Sequence, residues 1–198
     1  MIITAATSIV PFTGADGNPL TDVSEFARVI DFITIMNYDV WGSWSATVGP
    51  NAPLDDTCAE SQNKAGSAVS AVQAWKKAGF ASDQISLGVA SYGHSFSVNN
   101  TDALVAGALA PYPKFNASVQ PQGDAWDILS GPDVCGNPAV FGGTIDFWGM
   151  VSLGYLKSDG TPNADIFYRF DNCSQTVSFS FCVMERLNIH YLRLAICV

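Results

Sequence analysis

Charge is what this sequence has least of. Only 14% of its 198 residues are Asp, Glu, Lys or Arg. Lys and Arg number 9 against 18 acidic residues, for a formal net charge of −9. An acidic chain with so few cations repels phosphate backbones, which excludes a nucleic-acid partner. Because 48% of the residues are hydrophobic, the low charge does not mean disorder, and the chain can bury a core. Glutamate is scarcer still, with only Glu25, Glu60 and Glu185. No apolar run approaches the roughly 18 residues of a transmembrane helix, so a membrane partner is not expected. The cysteines at 58, 135, 173, 182 and 197 lack CxxC or CxxH spacing, which excludes a clustered metal site. There is no internal repeat, and nothing implies a cofactor. What remains is a monomer of one domain, or one domain with an appendage, whose sparsely charged surface suits a neutral ligand such as a sugar polymer.

Other signals point outside the cell. Sequons stand at Asn99, Asn116 and Asn172. A disulfide such as Cys135–Cys173 fits a secreted protein, although isolated buried thiols fit the spacing equally well. Yet the opening MIITAATSIVPF has no basic segment and reads as a strand rather than a signal peptide. A secreted protein without a leader is a contradiction, and the expectation is that the true N-terminus lies upstream.

Along the chain, Ile2–Val10, Val29–Met36 and Ile85–Ser91 are near-continuous apolar runs, expected of parallel strands buried on both faces. Asp22–Ala27 reads as a short helix. Ser61–Ala78 reads as a long one, with Ala65, Ala68, Val69, Val72 and Trp75 on one face and Gly79 at its C-terminal cap. Strand, helix, strand is a βαβ unit, right-handed by default. Residues 97–176 turn rich in Gly, Pro, Asn and aromatics. They read as an α+β or mainly β insertion, with a short helix at Thr101–Leu109 and alternating runs at Gly143–Val151 and Ile166–Phe170. From Val177 the texture changes again, to a tail without Gly or Pro.

The chemistry concentrates at Met36-Asn37-Tyr38-Asp39, where a predicted parallel strand ends and loops are free to carry function. A carboxylate and a phenol leave the strand together, and Trp41 and Trp44 follow. Exposed indoles beside a carboxylate suit a pyranose, whose apolar face stacks on the ring. On the residues alone, barrel core explains Met36, Tyr38 and the tryptophans as well as a cleft does.

Residues 30–45, IDFITIMNYDVWGSWS, resemble the sixth-strand region of family 18 glycoside hydrolases of the chitinase type, with its M-x-Y-D motif. SLGVASYGHSF, residues 86–96, is similar to the family's seventh strand, and TAATSIVPF, residues 4–12, to its fifth. The resemblance implies an α/β fold: a partial (β/α)8 TIM barrel, strands five to seven, over residues 1–96. It further implies an α+β insertion over 97–176, and leaves 177–198 as an anomalous tail. It implies cleavage of β-1,4-linked N-acetylglucosamine by substrate-assisted retention, in which the substrate's own acetamide is the nucleophile. Chitin or a chitooligosaccharide would be the partner. Tyr38 would hydrogen-bond the acetamide oxygen and Asp39 would orient the acetamide and stabilise the developing charge. Met36 would floor the subsite, Tyr92 would contact the sugar, and Trp41 and Trp44 would stack on it. His94 stands where the family has Arg, so a bidentate contact there is lost. The family's acid motif, D-x-x-D-x-D-x-E, is absent from these residues, and none of the three glutamates replaces it. The expectation is therefore a truncated or misassembled chitinase-type chain without its catalytic acid, the alternative being a lectin-like chitin binder that does not hydrolyse.

Overall fold

The computed structural model describes residues 1–129, 131–132, 134–164, 166–182 and 188–195. The remainder of the tail, with Glu185 and Cys197, lies outside the described residues. Strands β1 (Thr4–Thr7), β2 (Phe32–Ile35) and β3 (Ile85–Leu87) form a parallel sheet in the order β1-β2-β3. Thr4 pairs with Phe32, and Ile35 pairs with Leu87. A short helix α1 (Ser24–Ala27) connects β1 to β2, and helix α2 (Ala68–Lys77) lies between β2 and β3. The expected βαβ unit is present, with each strand shorter than its apolar run.

Side chains alternate across a strand, and this decides which face is core. Ile33 and Ile35 of β2 are fully buried against Ala71 and Trp75 of α2, together with Val23, Ala78 and Phe80. Phe32 and Met36, on the other face, are exposed. Burial on both faces was expected; one face is covered among the described residues, because α2 is the layer that packs on this sheet.

The helix expected over Ser61–Ala78 begins later. Ser61–Asn63 forms a 3-10 turn, and α2 starts after Ser67. Ser67 accepts from the Ser70 amide at 3.2 Å, while the Ser70 hydroxyl accepts from the Ser67 amide at 2.8 Å. This reciprocal cap satisfies donors that the first turn leaves open. Gly66, at φ +106°, redirects the chain just before it. At the other end the Phe80 amide bonds the Trp75 carbonyl and the Gly79 amide bonds the Lys76 carbonyl, both at 3.2 Å. That is a Schellman closure, and the Phe80 and Trp75 rings meet at 5.5 Å as its apolar contact. Gly79 takes φ +122°, which a side chain would strain. The Trp75 indole donates to the Ser8 carbonyl at 3.0 Å and so ties α2 back to the end of β1.

After β3 the chain changes sheet. β4 (Tyr92–Asn99) joins β7 (Thr144–Asp146), β8 (Phe167–Asp171), β9 (Thr176–Cys182) and β10 (Asn188–Ala195) in an antiparallel sheet ordered β7-β4-β10-β9-β8. Ile85–Ser91, expected as one strand, therefore stops at Leu87, and Tyr92 opens the next sheet. β4 runs through residues 96 and 97 without a break. The described part of the tail supplies β10 and most of β9. The helix expected over Thr101–Leu109 is confined to α3 (Asn100–Ala103). A tight hairpin follows, β5 (Leu104–Val105) and β6 (Ala108–Leu109), turning at Ala106 and Gly107 with φ of 51° and 81°. Two positive φ values are what a two-residue hairpin turn of the right twist requires. Gly143–Val151 divides into β7 and a short helix α4 (Phe147–Ser152).

The disulfide is Cys58–Cys173, not Cys135–Cys173: it closes a separation of 115 residues, with Cα atoms 5.7 Å apart. Beside it the Leu54 amide donates to the Ser174 carbonyl at 2.9 Å, so the loop after β2 is fastened to the β8–β9 turn. Cys135 is exposed and outside this bridge. Asn99, Asn116 and Asn172 are all exposed. Among the described residues no helix is long and apolar enough to cross a membrane.

Candidate functional site

The site is built where β2 ends. Met36 continues its ladder, donating to the Thr7 carbonyl at 2.8 Å, and lies on the exposed face. Tyr38 is half-buried against Ala52, Ala90 and Tyr92. Gly88 permits this: a Cβ there would meet the Ile35 carbonyl at 2.9 Å and the Tyr38 ring at 3.0 Å. The next residue, Asp39, has φ +57°. An L-residue held in the left-handed region needs support from its surroundings, and Asp is among the residues that tolerate it best.

That support is Asn51, which is buried. Its side-chain oxygen accepts the Asp39 amide at 2.9 Å, and its side-chain nitrogen donates to the Tyr92 carbonyl at 2.9 Å. Its own carbonyl takes the Val40 amide at 3.0 Å. One amide side chain thus couples the end of β2 to the start of β4. The sequence reading missed Asn51; the only signal was its place in the turn-forming stretch Gly49-Pro50-Asn51-Ala52-Pro53.

The coupling brings three predicted residues together. The Tyr92 hydroxyl donates to Asp39 Oδ1 at 2.7 Å, and His94 Nε2 lies 2.8 Å from the same oxygen. Residues 92 and 94 of one strand share a face, so both side chains reach the carboxylate. Burial, and then the hydrogen bond to the Asp39 carboxylate and its charge, push the Tyr92 phenol above its ordinary value. Tyr92 is therefore held as an O–H donor. The Asp39 side chain stays 48% exposed, with Oδ2 outside these bonds among the described residues. The carboxylate is oriented through one oxygen and presents the other to a ligand.

The two tryptophans part company. Trp44 is 64% exposed and meets the His94 ring edge-to-face at 5.7 Å, over Gly42, where a Cβ would strike its indole. Trp41 is only 7% exposed, wedged against Gly49 and tilted on Tyr112 at 5.7 Å. The expected exposed stacking face at Trp41 is corrected: its ring is packing. Glu25 pairs with Arg28 at the surface and Glu60 is exposed before a 3-10 turn, so neither joins the Asp39 cluster.

The family profile of glycosyl hydrolases family 18 matches residues 1–179. A "chitinase-like effector" of Moniliophthora roreri is 58% identical over 88% of this chain and 43% of its own length. One of Moniliophthora perniciosa is 53% identical over 89% and 40%. A crystal structure of a Rhizomucor miehei chitinase superposes with a TM-score of 0.80 at 25% identity, covering 98% of this chain and 50% of that one. The chain thus spans half or less of the length of these proteins. Family match, strand-end motifs and fold agree: the chain belongs to glycosyl hydrolases family 18.

Proposed function

We propose that this chain forms the acetamide-recognising part of a chitinase-type cleft, acting on β-1,4-linked N-acetylglucosamine in an extracellular setting. In this assignment β1, β2 and β3 are strands five to seven of a TIM barrel. Residues 97–176 are the insertion before its last strand, and 177–198 remain a separate tail. The observation that carries the reading is the convergence of Tyr92 and His94 on one oxygen of Asp39. It leaves a fixed, half-exposed carboxylate beside Tyr38, suited to orienting an acetamide and stabilising positive charge on it. Met36 floors that subsite and Trp44 offers a ring face to the adjoining sugar. Protonation of the leaving oxygen is the step the acetamide cannot perform, and no D-x-x-D-x-D-x-E motif is present to supply it. General acid catalysis is worth about 10²–10⁴-fold in rate, so these residues alone bind without appreciable turnover.

The second reading, a chitin-binding protein without hydrolysis, is favoured by the 58% identical relative described as a chitinase-like effector. One comparison tests both. This chain, and a version extended upstream through a D-x-x-D-x-D-x-E strand, are assayed on a soluble chitooligosaccharide. Turnover only by the extended chain, mostly lost in its Asp39→Ala variant, supports the enzyme reading. Binding without turnover by both chains supports the binder. Equal turnover by both chains refutes the assignment of the missing acid.

A further inference from the structure

Two exposed tryptophans outside this cluster share a carboxylate. The indole nitrogens of Trp126 and Trp148 both donate to Asp146 Oδ2, at 3.1 and 3.2 Å, while the residues remain 53% and 56% exposed. Their polar atoms are satisfied and their ring faces are bare. The mount is rigid. The buried Asp127 carboxylate takes the amides of Gly123, Gly142 and Gly143 at 2.7, 2.8 and 2.8 Å, locking the loop that carries Trp126. The Asp146 amide is bound by the buried Asp124 carboxylate at 2.7 Å. The Phe147 amide, one residue before Trp148, donates to the Ser91 carbonyl at 2.8 Å.

Asp146 is the antiparallel register partner of Tyr92. Directly opposed residues project from the same face, with Cβ atoms about 4.5–5.5 Å apart. The Tyr92 side chain on that face reaches Asp39, so the tryptophan pair adjoins the Asp39 cluster on the same side of the sheet. We infer that Trp126, Trp148 and Asp146 form a further saccharide subsite, which takes a second pyranose of the oligosaccharide held at Asp39. The chemistry fits a neutral sugar: indole faces stack on the apolar C–H face of the ring. Asp146 Oδ1, outside the indole bonds, accepts from ring hydroxyls. A net charge of −9 disfavours an anionic occupant.

The inference rests on the cleft reading, and chain length separates the two. Binding of N,N′-diacetylchitobiose and of N-acetylchitohexaose to the chain is measured by calorimetry, alongside Trp126→Ala, Trp148→Ala and Asp39→Ala. Each tryptophan substitution is expected to weaken hexamer binding roughly tenfold, about 1.4 kcal/mol, and to leave dimer binding unchanged; Asp39→Ala weakens both. Should an alanine variant misfold, the unsubstituted chain still reports: the Trp126 and Trp148 indole N–H resonances move with hexamer and not with dimer. Unchanged hexamer affinity in both tryptophan variants, with still indole resonances and a weakened Asp39→Ala, overturns the subsite and spares the cleft. Failure of the unsubstituted chain to bind hexamer, or an Asp39→Ala variant that binds both oligomers normally, overturns both.

Discussion

Asn51→Ala removes one side chain and should disturb two strand ends. The Asp39 amide loses its acceptor and the Tyr92 carbonyl loses a donor, each bond 2.9 Å long. A buried polar group left unpaired costs about 1–3 kcal/mol, so the pair costs roughly 2–4 kcal/mol if nothing relaxes. Something does relax: Asp39 is held at φ +57°, and leaving the left-handed region recovers about 1 kcal/mol. The net loss is therefore about 1–3 kcal/mol, measured by urea unfolding, or a fall in melting temperature of roughly 2–12 °C for a chain of this size. The relaxation also swings the Asp39 carboxylate away from Tyr92 and His94, so oligosaccharide affinity should fall with stability. Asn51→Asp is the control. It still accepts the Asp39 amide but cannot donate to Tyr92, and it sets a second carboxylate near Asp39. Asp39→Gly should be more stable than Asp39→Ala by about 1 kcal/mol, because only glycine adopts the positive φ freely. An Asn51→Ala chain within about 0.5 kcal/mol of the parent, binding at full affinity, would refute the account of how Asp39 is held.

The tryptophans near Asp39 should respond in opposite ways: Trp41→Ala empties a packed site and costs roughly 3–5 kcal/mol of stability. Trp44→Ala leaves stability near the parent's and weakens oligosaccharide binding; the reverse pattern in denaturation and calorimetry would contradict the burial described. Cys58→Ser should cost about 2–5 kcal/mol, since the bridge closes a 115-residue separation, whereas Cys135→Ser should cost nothing measurable. Equal losses from the two would displace the bridge. For Tyr92 the folded phenol titrates above its unfolded value of about 10. Its contribution is complete below pH 10 and disappears as pH rises through the higher folded value. Tyr92→Phe should flatten that alkaline loss, and a parent-like slope in alkaline unfolding would count against the bond to Asp39.

The parallel unit was legible because Ile33, Ile35 and Trp75 have to be buried, and apolar runs with a glycine stop report that burial directly. Element bounds were less legible. Gly66 and Ser67 end the irregular stretch through a local cap that helical periodicity does not record, so the start of α2 was placed too early. Ala106-Gly107 overrode a helical pattern through turn geometry alone. At the site, Tyr38, Asp39, Tyr92 and His94 stood in motifs and were found, while Asn51 was not, since a buried amide bridging two loops leaves no periodic trace. Trp41 and Trp44 are indistinguishable in sequence, and which ring is covered depends on Gly49 and Tyr112. Cys58 and Cys173 lie too far apart in the chain for their pairing to be read from spacing.

The order β7-β4-β10-β9-β8 has a kinetic consequence. β4, which carries Tyr92 and His94, obtains its neighbour on one side from a strand about a hundred residues later, as Gly93 pairs with Leu194. At a synthesis rate of about 5–20 residues per second, that edge stays unpaired for roughly 5–20 s on the ribosome. Closing so long a loop before any pairing rewards it makes this sheet the slow step of folding. Until β10 arrives, β4 and β9 both present open, apolar edges to other nascent chains, so the yield of native protein should depend on temperature and chaperone supply more than its final stability would indicate.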